Sequence, residues 1–274
     1  MNLPVADRWY EIDECAHGLA LVKELHVHDF ARSNIWLVRG RRHALLVDTG
    51  TGLGPLRATI ETVTDLPIVA FATVGYYDHA GGLHQFDSRV VHRLEADRVS
   101  NPSPRKVVSE RYLTDGAFKA LPRAGFAPVE YRMAGSSPTR LVEDGDQIDL
   151  EDRSFEVVHL PGVTPGASGL FERETGILFT GEALSFNGGH LYDGEPAEYT
   201  DDADRNAFKM SLERMLRLPV KQVYPGHYEP FDGAIGKGDR RLPRRADPEP
   251  VRLRISPAAL PPASGGSRPG AAPD

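Results

Sequence analysis

Residues 66–73 read Leu-Pro-Ile-Val-Ala-Phe-Ala-Thr, a nearly continuous apolar run that gives way to Val-Gly-Tyr-Tyr-Asp-His-Ala-Gly-Gly. A strand with one wet face alternates apolar and polar residues; a run without alternation fits a strand buried on both faces. Pro67 fits only at the start of such a strand, where no ladder hydrogen bond is lost. The chain must therefore cover a central sheet from both sides. Asp78 and His79 follow the run almost directly, just past a strand's carboxyl end. Open α/β sheets place their ligands at such ends, because loops converge there.

The same pattern recurs along the chain. Residues 43–47 are a short apolar run ending in Asp48-Thr49-Gly50, a strand-to-turn signal. Residues 18–25 and 34–38 read as strands and 56–64 as a helix. Residues 93–126 are more polar and partly helical in pattern, broken at 101–104. Strand signals return at 129–133, 140–142, 147–150 and 155–160, the last running into the turn Pro161-Gly162-Val163-Thr164-Pro165-Gly166. Residues 170–171 and 177–180 read as a hairpin around Glu174-Thr175-Gly176. Residues 201–218 have helical periodicity, with Phe208, Leu212, Met215 and Leu216 on one face and an acidic start that suits the helix dipole. A last strand at 220–224 leads into Pro225-Gly226-His227. Glu182 and His227 thus also follow strand ends.

A formal net charge of -7 argues against a general nucleic-acid or anionic-membrane surface. The single cysteine, Cys15, excludes an intrachain disulfide and fits a reducing compartment. The N-terminal residues carry charges where a signal peptide is apolar, and no run approaches the roughly 18 apolar residues of a membrane span. The expectation is a cytoplasmic protein acting on a small molecule. After residue 232 the character changes: eight prolines fall between Pro243 and Pro273 among Arg, Ala and Gly. We read residues 1–232 as one domain and 233–274 as a disordered tail.

Five landmarks carry a resemblance: Leu45-Leu46-Val47-Asp48-Thr49-Gly50, Asp78-His79-Ala80-Gly81-Gly82, His159-Leu160-Pro161-Gly162-Val163-Thr164-Pro165-Gly166, Leu178-Phe179-Thr180-Gly181-Glu182 and Tyr224-Pro225-Gly226-His227. In this order and spacing they resemble the metallo-β-lactamase superfamily of metallohydrolases. The resemblance implies an α/β (α+β) chain folded as an αββα sandwich, two mixed β-sheets packed face to face with helices outside. It also implies a two-metal site. The family's first metal is held by three histidines whose positions here are Val74, Tyr76 and Val163. The second is held at positions occupied by Asp78, His79, Glu182 and His227, all able to ligate. Asp48 matches an aspartate that orients the site. The losses fall on one metal and the retained groups on the other.

Three protein ligands and an open position make a catalytic zinc site, which lowers the pKa of bound water to roughly 7. Iron or manganese also accepts such nitrogen and oxygen donors. One reading is therefore a hydrolase of a small ester, thioester, amide or lactone using at most one divalent metal. The other is a metal-free pocket serving a lyase, isomerase or cyclase, or a non-catalytic binding protein. Asp78, Glu182 and Tyr76 are the candidate catalytic groups. Glu182, one methylene longer than the family's aspartate, is expected to reach into the vacated space. Without an ion, Asp78 and Glu182 would face each other, and one carboxyl should be held protonated. His26, His28, Tyr77 and Val163 are candidate pocket residues, the two histidines alternating on a strand edge. His159 is expected to be structural.

Overall fold

A computed structural model describes residues 3–187, 190–192, 203–233 and 251–252. The first sheet contains β1 (Tyr10–Glu14), β2 (Leu19–Glu24), β3 (Ile35–Arg39), β4 (Ala44–Val47), β5 (Ile68–Ala72), β6 (Ser88–His92) and β7 (Arg140–Val142). The second contains β8 (Gln147–Asp149), β9 (Ser154–His159), β10 (Ser168–Glu172) and β11 (Ile177–Gly181). After a small hairpin of β12 (Ser185–Asn187) and β13 (His190–Tyr192), the second sheet is completed by β14 (Gln222–Pro225) and β15 (Phe231–Asp232), while β16 (Val251–Arg252) joins the first. The strand orders are β16-β1-β2-β3-β4-β5-β6-β7 and β15-β14-β11-β10-β9-β8. Both sheets are mixed: β4 through β7 run parallel, as do β11 and β14, and the other pairs are antiparallel.

The helices α1 (Leu56–Ile60), α2 (Tyr77–Ala80), α3 (Ala96–Ser100) and α4 (Ser109–Tyr112) lie in the crossovers between parallel strands, and α5 (Arg205–Arg217) precedes β14. Strand alternation sorts the core into layers. Trp36, Val38, Leu45, Val47 and Phe71 meet Phe155, Val157, Leu170 and Phe179 between the two sheets. Ile35, Leu37, Leu46, Ala70 and Ala72 pack on the other side with Leu56, Ile60 and Val99. The far face of the second sheet, through Val158, Phe171, Leu178 and Val223, takes Met215 of α5. This is the αββα sandwich. Each fully buried aromatic between the sheets contributes roughly 1.5–3 kcal/mol from burial, and the layer fixes the strand ends on which the site stands.

Some sequence expectations need correction. Residues 129–133 are not a strand: Pro128–Glu130 form a turn of 3-10 helix, Val129 is 82% exposed, and Tyr131 and Met133 turn inward. Apolar residues at alternate positions mimicked a strand, while Pro128 at the first helical position set the turn. The helix expected over 56–64 stops at Ile60. Leu216 lies off the buried face of α5 at 49% exposure, and the helix is capped by Asp204, whose carboxylate accepts from Asn206 N and Ala207 N. Within the expected tail, Val251–Arg252 pair with Asp13 and Glu14 of β1, and the rest of that segment after Gly233 lies outside the described residues. Among the described residues no helix is long and apolar enough to cross a membrane.

Candidate metal centre

Asp78 and His79 sit on α2, one short loop beyond β5, and this turn of helix is fastened on several sides. The His79 carbonyl accepts from Thr49 N at 2.7 Å and Thr49 Oγ1 at 2.9 Å, and the Asp78 carbonyl accepts from Ser33 Oγ. The helix lies so close to the 49–52 loop that a Cβ on Gly81 would meet Thr51 backbone at 2.4 Å. Glu182 follows β11 and His227 follows β14, two neighbouring parallel strands, so their side chains start side by side. A Cβ on Gly226 would lie 2.8 Å from His79 Cε1, which explains a glycine before the histidine.

The four side chains converge. His79 Nε2 and His227 Nε2 are 3.3 Å apart, and Asp78 Oδ2 lies 3.4 Å from the second and 3.7 Å from the first. Glu182 Oε2 is 2.9 Å from both imidazole nitrogens. Ligands at 2.0–2.1 Å around a tetrahedral ion stand about 3.3 Å from one another. The donor atoms of Asp78, His79 and His227 all lie within 4.8 Å of each other, so one small ion fits this set. Behind it, His79 Nδ1 donates to Asp48 Oδ2 at 2.7 Å, which turns Nε2 toward the cluster. Asp48 is in turn held by Thr73, whose N–H donates at 2.8 Å and whose hydroxyl donates at 2.9 Å.

Glu182 does not reach into the space of the lost first site, as its extra methylene had led us to expect; it lies between the two retained imidazoles. Nor do Asp78 and Glu182 face each other without compensation. Burial pushes the Asp78 carboxyl up, with only partial relief from the charges on His79 and His227. Burial acts the same way on Glu182, but the His227 charge and the hydrogen bonds from both imidazoles outweigh it and hold that carboxyl low. Burial opposes protonation of His79 and His227, yet Asp48 and Asp78 raise the first and Glu182 raises the second.

Val74, Tyr76 and Val163 are buried together on the other side of the loop. The Tyr76 hydroxyl donates to the Val163 carbonyl at 3.3 Å, and its ring carries the Arg98 guanidinium 5.7 Å from the centroid. That places Tyr76, a candidate acid, on the vacated side. Tyr77, a candidate pocket residue, is core: its hydroxyl donates to Ala31 O at 2.8 Å and its ring meets Tyr131 edge-on. His26 and His28 do not alternate on a strand. They follow β2 in a turn, where His26 bonds the Arg8 carbonyl at 2.9 Å beside Trp9 and His28 stacks on Phe30. His159 donates to Pro165 O at 2.8 Å and stacks on His92 at 4.3 Å.

Residues with no sequence signal complete the frame. Asn34 Nδ2 donates to Pro225 O at 3.0 Å and Tyr228 O at 2.7 Å, straddling His227. Trp36 Nε1 donates to Pro225 O at 3.0 Å. Glu95 accepts from Gly75 N at 2.8 Å, Thr164 Oγ1 at 2.6 Å and Gly166 N at 3.0 Å. These are ordinary polar residues in sequence, and only the folded chain shows what they hold.

Comparison with known proteins agrees with this geometry. The model of the metallo-β-lactamase superfamily matches residues 28–227. Human acyl-coenzyme A thioesterase MBLAC2 is 30% identical over 239 residues, covering 81% of this chain and 82% of that protein. The hydroxyacylglutathione hydrolase of Aeromonas salmonicida is 27% identical over 192 residues, 69% of this chain and 58% of that one. Among solved structures, a metallo-β-lactamase from Pontibacter korlensis superposes with a TM-score of 0.61 at 18% identity, over 82% of this chain and 94% of that chain. With the sandwich, the strand-end cluster and a family match running from the loop after β2 to His227 itself, the chain belongs to the metallo-β-lactamase superfamily.

Proposed function

We propose that this protein is a thioesterase that holds one divalent metal through Asp78, His79 and His227, with Glu182 as its proton acceptor. The observation that carries this reading is the convergence of those three donor groups at ligand spacing, with Glu182 2.9 Å from both imidazoles. The substrate class is supported by the relatives: one is named for acyl-coenzyme A and the other for hydroxyacylglutathione, in each of which a thiol carries the acyl group. Zinc suits the set, and iron or manganese accepts the same donors. Such an ion, when bound, polarises the acyl carbonyl and makes water a better nucleophile near neutral pH.

The chain's own residues do the rest. Asp48 fixes the His79 tautomer so that Nε2 faces inward. Glu182 is held as a carboxylate and is placed to take a proton. Water oxygen bonds to the acyl carbon as Glu182 accepts the proton, and the carbon–sulfur bond then breaks. A thiol leaving group with a pKa of about 8.5 departs as thiolate or takes that proton back, so no separate strong acid is required.

The test is elemental analysis of protein purified without chelator, alongside thiol release from acyl-coenzyme A and acylglutathione. About one equivalent of metal is expected, and Glu182→Gln should lower kcat by about 10²–10⁴-fold while keeping the metal. A metal content near zero that does not rise on adding zinc, iron or manganese refutes the reading. It would instead favour a second one, supported by the hydrogen bonds Glu182 makes to both imidazoles: a cluster closed without an ion, in a metal-independent enzyme or a binding protein.

A further inference from the structure

The family's first metal does not fit this chain. Val74 and Val163 offer no donor atom, and the Tyr76 hydroxyl is turned onto a backbone carbonyl. Yet the loops carrying these positions are not left apart. Glu95 and Arg98, one turn apart at the start of α3, form an ion pair with Arg98 Nε 3.2 Å from Glu95 Oε2, their side chains 1% and 8% exposed. The carboxylate reaches across both loops. It takes Gly75 N from the first, between Val74 and Tyr76, and Thr164 Oγ1 and Gly166 N from the second, next to Val163. The guanidinium lies on the face of Tyr76 and donates through Nη1 to the Lys106 carbonyl. Contact with Gly75 is so close that a Cβ there would stand 2.6 Å from Arg98 Cδ and 2.9 Å from Glu95 Oε2.

We infer that the Glu95–Arg98 pair substitutes for the first metal: a built-in cation and its carboxylate tie together the loops that three imidazoles and an ion tie in the family. A metal ion joins loops by accepting lone pairs from both. Here the polarity is reversed, with a buried carboxylate accepting N–H and O–H groups from both while the guanidinium neutralises it. Such a charge could not stay buried without a partner. Gly75 and Gly166 leave room for the pair, since a Cβ at Gly166 would meet Glu95 Oε1 at 2.8 Å. The inference rests on the alignment of the three changed positions and is independent of whether Asp78, His79 and His227 hold a metal.

It follows that restoring the three imidazoles is not enough to regain the first metal. In the full chain, V74H/Y76H/V163H should bind no more zinc than the unmodified protein. Adding Arg98→Ala to the same variant should bind about one equivalent more. Both counts are differences between variants, so they stand whatever the other site holds. A gain with Arg98 in place overturns the inference, as does no gain once it is removed. A thermal double-mutant cycle in the unmodified background covers the case in which those variants fold poorly. Glu95→Gln and Arg98→Met should each lower the melting temperature on the order of 10 °C, because each strands a buried charge. The double variant should melt no lower than the worse single, and additive losses overturn the inference.

Discussion

Replacing Asp48 with asparagine isolates one atom of the candidate centre. Asp48 has a φ of +64°, a conformation that asparagine also tolerates, so the backbone is left alone. Oδ1 accepts from Thr73 N at 2.8 Å and from Thr73 Oγ1 at 2.9 Å, and an asparagine oxygen can keep both bonds. The amide nitrogen then takes the place of Oδ2, which stands 2.7 Å from His79 Nδ1. A donor now faces a donor. The relief is for His79 to give up the Nδ1 proton and carry it on Nε2, the atom aimed at Asp78 and His227. A protonated Nε2 cannot ligate, so metal affinity should fall about 10–100-fold, the cost of losing an orienting partner behind a metal-bound imidazole. That is about 1.4–2.8 kcal/mol at 1.4 kcal/mol per decade. In metal-free protein the lost charge-assisted bond should lower stability by about 1.5–3 kcal/mol. Competition against a chromophoric chelator measures the first quantity and urea unfolding the second. A zinc Kd within about threefold of the unmodified protein would show that Asp48 does not set the His79 tautomer, and the account of the site would fail at its base.

Asn34→Ala removes the two hydrogen bonds that straddle His227 and should cost about 1–3 kcal/mol in urea unfolding, with weaker metal binding; an unchanged midpoint contradicts the role given to it. Gly226→Ala places a methyl 2.8 Å from His79 Cε1 and 2.7 Å from the Gly181 carbonyl oxygen, and should destabilise by about 1–3 kcal/mol while displacing the imidazole, visible as a shifted His79 ring resonance. His92 supplies a pH prediction away from the centre. Burial, then the neighbouring charge of His159, holds it down at about 4. Because the folded value lies below the unfolded one, the unfolded chain binds the proton first. Stability is full above about pH 6.5 and is lost as pH falls toward 4, by on the order of 1–2 kcal/mol after screening. Urea midpoints at pH 7.5 and 5 should differ, and His92→Asn should flatten the difference.

The strands and the retained donors were legible because their causes are local. The unbroken run of β5 has one explanation, burial on both faces, and Ala70, Phe71 and Ala72 are divided between the two core layers. Glycine and proline turns marked where loops leave the sheets, which put Asp78, Glu182 and His227 at strand ends before any coordinates were known. What could not be read was everything decided by contact across the fold. Glu95 and Arg98 are an i, i+3 charge pair of the kind that decorates any solvated helix. Nothing in residues 93–126 says that this one is buried under two loops. His26 and His28 failed for the same reason in reverse: alternation fits a strand, but the chain turns at residue 25, and the turn is stabilised by contacts with Arg8, Trp9 and Ala117 that lie far away in sequence.

The two halves of the ancestral site are held by separate sets of restraints, which is how one could be lost without dissolving the other. Asp78, His79 and His227 are fixed by Ser33, Thr49, Asp48, Asn34 and Trp36, reaching them from β3 and from the loops beside β3 and β4. None of those bonds involves Val74, Tyr76 or Val163. The vacated half hangs on Glu95, which belongs to a different crossover and bonds Gly75, Thr164 and Gly166. Loss of the first three imidazoles would ordinarily free two loops and cost the neighbouring site its rigidity. With Glu95 and Arg98 holding those loops, Glu182 can settle between His79 and His227, where a longer side chain than aspartate spans to both imidazoles at 2.9 Å. The extra methylene then has a reason that belongs to the surviving site: it places a carboxylate oxygen where it can answer two imidazoles at once.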